Sequence, residues 1–372
     1  TGRGLDLRLG GPGDETGFLL RGTSNVKLSD SEIVTILETE KGAKTMIRSG
    51  GGGAVSLAGS RISPGGGRET VGIDLIDSSL DMTAVELDSG RGVGESTGLR
   101  ASGSDIRIVN CTLTGRGESA LNFAVKSIDS SLVIEGSLLR LNGGIGATGI
   151  YATGGSIDIV DSTFDHPEGM RADFVSALKT DSVTGTVFNT IFEIDTGVDS
   201  IALDLSSSSV DFFNNTCIIN LESPRSSVMR IRDDRGSSII NNIFADPSAE
   251  GNTALTTDTR VSGTEIRNNC FSGWGVLLRY DAVGIDSVIE LDRLDGVPRG
   301  GNIGGNIEEP YGNIFKVSKG SVYELLPSSR CVDTGLDLSA RGGPVADRSG
   351  RKRPNPEGGY VPSWDLGAFE VY

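Results

Sequence analysis

Histidine is almost missing from this chain: His166 is the only one among 372 residues. Its setting, Phe164-Asp-His-Pro167 just past an apolar strand, suits a loop residue better than a general base. No apolar run approaches the ~18 to 20 residues of a helical membrane span, so no transmembrane segment is expected. Basic residues are outnumbered, with 34 Lys and Arg against 50 Asp and Glu, a formal charge of −16 and a pI near 4.6. That balance argues against a nucleic-acid partner, because phosphate binding rests on Lys and Arg. The four cysteines, Cys111, Cys217, Cys270 and Cys331, form no Cys-x-x-Cys pair, so a metal site or redox couple is not expected. There is no EF-hand loop and no Gly-Gly-x-Gly-x-Asp repeat, which leaves Ca²⁺ without an address and the expected cofactor list empty.

Glycine, in contrast, is plentiful: 54 residues, beside a hydrophobic share of 36%. Short apolar runs between glycines, serines and aspartates point to many turns and short strands. A phrase recurs in which a polar residue and two small or variable ones precede a large apolar one. Its copies begin at Asp77, Asn110, Glu135, Asp161, Asn189, Asn215, Asn241 and Asn268 and close at Leu80, Leu113, Leu138, Phe164, Phe192, Ile218, Phe244 and Phe271. The interval stays near 26 residues, which suits one coil of a β-solenoid.

A second short strand precedes most copies, as in Ala84-Val-Glu-Leu87, Ala120-Leu-Asn-Phe123, Gly149-Ile-Tyr-Ala152 and Ala202-Leu-Asp-Leu205. Parallel stacking of coils would bury Val85, Leu121, Ile150, Leu178, Leu203, Met229 and Leu255 in one inward column. The fold class is therefore all-β: a single-stranded right-handed parallel β-helix of about ten coils with a C-terminal cap. Residues 1–70 read as irregular first coils, 71–296 as the regular solenoid, and 297–372 as a segment capping the open end. Asn110, Asn189, Asn215, Asn241 and Asn268 form an expected asparagine ladder at a turn. Cys217 and Cys270 would then share a column two coils apart, about 9.6 Å at ~4.8 Å per coil, too far for a disulfide.

Three phrases near the C-terminus carry a resemblance: Ser329-Arg-Cys-Val-Asp-Thr-Gly335, Asp347-Arg-Ser-Gly-Arg-Lys-Arg-Pro354 and Asp365-Leu-Gly-Ala-Phe-Glu370. In order and spacing this region resembles the terminal part of bacterial secreted, pectate-lyase-like right-handed parallel β-helix proteins with a choice-of-anchor region. Arg330 replaces the family's proline, and Pro354 to Ser363 is an insertion. The resemblance implies export to the cell surface or medium and does not imply one activity. Asp333, Asp347, Arg353, Asp365 and Glu370 look like a charge network pinning this region.

Many parallel β-helices act on acidic polysaccharides, so the outward stripe Glu86, Asn122, Tyr151, Lys179, Asp204, Arg230, Thr256 is the place to look for chemistry. Lys179, Asp204 and Arg230 could act as base, carboxylate orienter and guanidinium in a β-elimination. The same charges on adjacent coils also make a stabilising ladder. The paired carboxylates Asp233-Asp234 suit a solvated turn. The Gly-His-Gly and Arg-Ile-Lys phrases of polygalacturonases, the Arg-x-Pro-x-x-Arg of pectate lyases and the Asp-Pro-His of mannuronate epimerases are all missing. Trp274, Tyr280 and Tyr311 could stack on sugars or pack the cap. The expectation is an extracellular or cell-surface binding or structural module, adhesin-like, with a polysaccharide or surface protein as partner and Tyr151, Lys179, Arg230 and Trp274 as binding residues. The rival is a polysaccharide lyase or glycoside hydrolase. The sequence does not give an oligomeric state.

Overall fold

The computed structural model describes residues 2–9, 14–35, 42–117, 121–167, 172–195, 200–220, 226–248, 252–258, 264–280, 283–294, 303–316, 323–354 and 363–371. The chain is all-β and has the design of a right-handed parallel β-helix, in which three parallel sheets are built one strand per coil. It divides into two compact units, Thr1–Asp158 with Ser162–Val183, and Ile159–Asp161 with Thr184–Tyr372.

In the first unit, the first sheet stacks Asn25–Ser29, Ala54–Ala58, Ser79–Thr83, Asp105–Val109 and Ser131–Glu135. The second stacks Glu32–Thr35, Arg61–Ser63, Glu86–Asp88, Thr112–Arg116, Leu138–Asn142 and Thr163–His166. The third stacks Ala43–Gly50, Gly66–Ile76, Arg91–Ser102, Leu121–Ile128, Gly144–Thr153 and Ala172–Asp181. Coiling already runs through the irregular-looking first 70 residues, because Asp30 and Gly59 supply the same left-handed turn (φ 50° and 54°) as later coils. Each coil has two such turns, one entering the first sheet at Asp77, Gly103 and Asp129, and one entering the second at Ala84, Asn110 and Gly136.

Three copies of the phrase are out of register: one falls on the other turn and two slip by one residue. At most coils both turns use one positive-φ residue followed by a small polar one, Ala84-Val85 being an exception, so they look alike in sequence. Asp77 belongs to the other turn, and Leu80 pairs with Ile106 in the first sheet. The corresponding residue of the second-sheet column is Leu87, stacked between Ile62 and Leu113. Likewise Gly136 and Leu139 replace Glu135 and Leu138, and Asn214 and Cys217 replace Asn215 and Ile218. Cys217 therefore stacks with Phe192 and Phe244, whereas Cys270 stacks with Ile243, and the two cysteines do not share a column.

The inward column of the third sheet reads Ile47, Ile73, Leu99, Val125, Ile150 and Leu178 in this unit, all fully buried. Val85 and Leu121 are not part of it: Val85 precedes the second sheet, and Leu121 is 53% exposed on the opposite face. Ala120 lies outside the described residues.

In the second unit the first sheet stacks Thr184–Phe188, Ser209–Phe213, Ser238–Ile240, Glu265–Arg267 and Ile303–Gly304. The second stacks Ile191–Asp195, Thr216–Asn220, Ile243–Ala245, Cys270–Ser272 and Ile307–Glu308. The third stacks Ile201–Ser206, Ser227–Arg232, Thr253–Thr257 and Val276–Tyr280, with Val283–Ile285 added antiparallel. Leu203, Met229, Leu255 and Leu278 fill its inward column.

The C-terminal segment takes a different course from an end cap. After the short helix Val288–Asp292, the described residues among 311–316, 323–354 and 363–371 pack along the outer face of the second sheet of this unit. Outward residues Ile218, Ile243, Ala245 and Cys270 are buried against Ile314, Phe315, Leu325, Cys331 and Leu366. The equivalent outward positions in the first unit are mostly polar, as at Glu32, Arg61, Glu86, Thr112 and Thr163, with Leu138 the exception. An uncovered face carries charge and a covered one carries aliphatics, as burial requires. Residues 355–362 of the insertion lie outside the described residues.

Candidate functional site

Asparagine does two separate jobs on the second unit's coils. The residue at the left-handed turn points to the returning segment: Nδ2 of Asn189, Asn214, Asn241 and Asn268 donates to the carbonyls of Ala346, Asp365, Leu336 and Thr334 at 2.7, 2.9, 2.8 and 2.8 Å. The next residue makes the stack. Asn215 donates to Asn242, Asn242 to Asn269 and Asn269 to Asn306 at 3.1, 3.0 and 3.2 Å, side chain to side chain. Of the five asparagines expected in a ladder only Asn215 is in it; Asn189, Asn241 and Asn268 hold the segment, and Asn110 is a left-handed turn residue of the first unit. In that unit the stacking position carries small donors: Ser60, Cys111, Ser137 and Ser162 each accept from a backbone N–H one coil away. Cys111 Sγ donates to Val109 O just as Ser137 Oγ donates to Glu135 O. The thiol stands in for a hydroxyl, and burial pushes its pKa up.

The returning segment is locked by the charge network expected from its three phrases. Arg353 Nη1 meets Glu370 Oε1 at 2.6 Å with both side chains out of solvent. Arg353 also donates to the carbonyls of Asp365 and Gly367. Asp365 accepts from the N–H groups of Asp333 and Val371, and Asp347 from those of Ser349, Arg351 and Glu370. Gly367, at φ 79°, lies where a Cβ would be 2.7 Å from Ile243 Cδ1, so the chain there approaches the coil as only glycine can. Burial pushes the Glu370 carboxyl up to about 7 and Asp365 up to about 6. Burial also lowers Arg353.

The outward row of the third sheet in the first unit runs Arg48, Asp74, Arg100, Lys126, Tyr151, Lys179. Glu86 and Asn122 are not in it. Glu86 belongs to the second sheet, and Asn122 is buried with Nδ2 donating to Gly143 O. The alternation fails here because Ala124 and Val125 both turn inward, which shifts the outward position from Asn122 to Phe123 and Lys126. At one end of the row Asp74 is held by Arg48 at 2.9 Å and by Arg100 at 2.9 Å. Burial works to raise the Asp74 carboxyl, but the hydrogen bond and charge of Arg100, followed by those of Arg48, outweigh it and hold the group below its ordinary value.

At the other end the row becomes aromatic and cationic. Phe123 and Tyr151 lie 6.0 Å apart at 49°. Lys126 Nζ sits 4.9 Å from the Phe123 ring centre and bonds Glu95, and Lys179 Nζ sits 5.7 Å from the Tyr151 ring centre. Nearby Phe174 is 52% exposed in register with Gly146 and Leu121. Rings that present a face and ammonium groups that present charge suit a sugar polymer bearing acidic groups. The alternation places Tyr151 and Lys179 on this row; the break at Ala124 and Val125 hides Phe123 and Lys126.

In the second unit Asp204, 3% exposed, receives Arg230 bidentately at 3.0 and 2.6 Å and Arg232 at 3.2 and 3.3 Å. Its oxygens are saturated by two guanidiniums, which leaves the carboxylate no capacity to orient a base and commits Arg230 to structure. Lys179 falls in the first unit, and Asp204 and Arg230 in the second. Trp274 Nε1 donates to Phe244 O at 2.8 Å, tying a turn, and Tyr311 packs on Phe315. Asp234 is buried and accepts from Ser237 and Thr264, a turn tie beside the left-handed Asp233. His166 is a buried strand residue, not a loop residue.

One further grouping joins residues far apart in sequence. Ligand atoms of Cys270, Glu309 and Cys331 all lie within 4.8 Å of one another, and all three residues are buried. Hydrogen bonding to Cys331, then burial, push the Cys270 thiol well up. No protein-family model matches this chain, and no curated protein matches it in sequence.

Proposed function

We propose that this chain is an extracellular or cell-surface binding module of adhesin type, which holds an acidic polysaccharide against the outer face of the third sheet in its first unit. The observation that carries this reading is the pair of Phe123 and Tyr151 rings with Lys179 beside Tyr151, on a rigid sheet whose outer face also exposes Phe174. Binding in this way needs no general base. The saturated state of Asp204 and Asp74 favours the binding reading over a lyase or hydrolase. Export from a bacterial cell and a place among pectate-lyase-like β-helix proteins rest on the three C-terminal phrases.

The test is affinity for a panel of uronate-bearing, sulfated and neutral polysaccharides. The expected result is retention of one acidic class, weakened about tenfold by Tyr151→Ala, on the basis that one stacked ring contributes roughly 1 to 2 kcal/mol. Equal binding of the variant, or a preference for neutral polymers, would count against this face.

A further inference from the structure

We infer that Cys270, Cys331 and Glu309 form a binding site for one thiophilic divalent cation, Zn²⁺ by donor class, that staples the returning C-terminal segment to the coil. Cys270 faces outward from the second sheet of the second unit, Glu309 directly follows the strand Ile307–Glu308, and Cys331 belongs to the turn of the returning segment. Two thiolates and one carboxylate are a familiar donor set for a tetrahedral ion, with water as the fourth ligand.

Cys331 Sγ and Glu309 Oε2 are 3.8 Å apart. Around a tetrahedral ion with metal–sulfur and metal–oxygen bonds of about 2.3 and 2.1 Å, that edge is roughly 3.6 Å. That edge needs only a small shift, and the other two donor separations are within 4.8 Å. Oε2 of Glu309 accepts from Ser329 Oγ at 2.7 Å and from Arg330 N at 2.9 Å, contacts that fix the carboxylate's orientation toward the sulfurs. No ion pair to Glu309 exists among the described residues, since the Arg330 guanidinium turns to Glu308 O instead. A buried carboxylate facing two thiols without a basic partner is a costly arrangement, and a cation removes that cost. Binding releases one proton from each thiol to solvent, giving three ligand charges of −1 against the ion's +2. A disulfide between the same sulfurs would remove the S–H bond to Glu309 and supply no positive charge. The sequence hides the site because its donors come from three separate turns of chain.

The experiment uses the full chain, purified without oxygen and stripped by chelator. Co²⁺ is added to the folded protein and, in parallel, during refolding. The expected result is one equivalent bound, with a thiolate-to-metal charge-transfer band in the near ultraviolet that Zn²⁺ displaces. Cys270→Ser and Cys331→Ser should abolish the band, Glu309→Gln should weaken binding at least tenfold, and Cys111→Ser with Cys217→Ser should leave it unchanged. Far-ultraviolet circular dichroism checks that each variant is folded, and Glu309→Gln, which keeps both thiols, gives the answer if a serine variant is not. No charge-transfer band by either route, a band that survives Cys270→Ser, or a metal-free Cys270–Cys331 disulfide in the isolated protein would each overturn the site.

Discussion

Arg353 and Glu370 meet at 2.6 Å with neither side chain touching solvent, and they do so within the segment that covers the second unit's coils. Removing one partner of such a pair strands a buried charge, which typically costs about 3 to 5 kcal/mol, whereas replacing both by apolar residues of similar size is often near neutral. Arg353→Met should therefore lower the unfolding free energy in urea by about that amount, and Arg353→Met with Glu370→Leu should recover most of the loss.

Acid should tighten the same region across the mildly acidic range. In the folded chain Glu370 titrates at about 7 and Asp365 at about 6, above ordinary values of 4.5 and 3.8. Between the ordinary and the raised values the folded state holds more protons than the unfolded one. Stability from these groups is thus present at low pH and lost as pH rises toward 7. Asp74 has the opposite sign: its pKa is lowered, so its contribution is lost only as pH falls below about 3.8. In a Trp274→Phe background, where Trp364 is the remaining indole, the thermal midpoint read by fluorescence should be higher at pH 5 than at pH 8. Glu370→Gln should shrink that difference.

The two asparagine roles separate by mutation. Asn242 Oδ1 accepts from Asn215 N and Nδ2, and its Nδ2 donates to Asn269 Oδ1 and Phe212 O, so Asn242→Ala takes these bonds from the buried Asn215 N–H and Phe212 O and should cost at least about 2 kcal/mol. Asn110 holds a left-handed turn at φ 53°, and glycine adopts that conformation freely. Asn110→Gly should change stability by less than about 0.5 kcal/mol. Equilibrium urea unfolding of both variants checks the contrast.

The solenoid and its coil length were readable because one inward column must repeat once per coil, and Ile150, Leu178, Leu203, Met229 and Leu255 do repeat. Register was harder. Asp77 and Asn110 head two different turns with the same local chemistry, a left-handed polar residue before a small one, and only pairing across coils tells them apart. The doubled asparagines at 214–215, 241–242 and 268–269 carry a signal of their own: one member stacks and the other reaches outward, which requires something to reach for. The aliphatic outward residues Ile218 and Ile243 gave the same hint that a segment covers this face. On the outer face of the third sheet, the row is legible at Tyr151 and Lys179 and lost before them, where Ala124 and Val125 break the alternation.

The most direct measurement follows polymer binding and unsaturated-product absorbance together, in one solution, for uronate polysaccharides with the wild-type chain, Tyr151→Ala and Asp204→Asn. Binding without product, weakened by Tyr151→Ala and unaffected by Asp204→Asn, is the expected result. Product formation that Asp204→Asn abolishes while the chain stays folded would contradict a binding module and establish an enzyme.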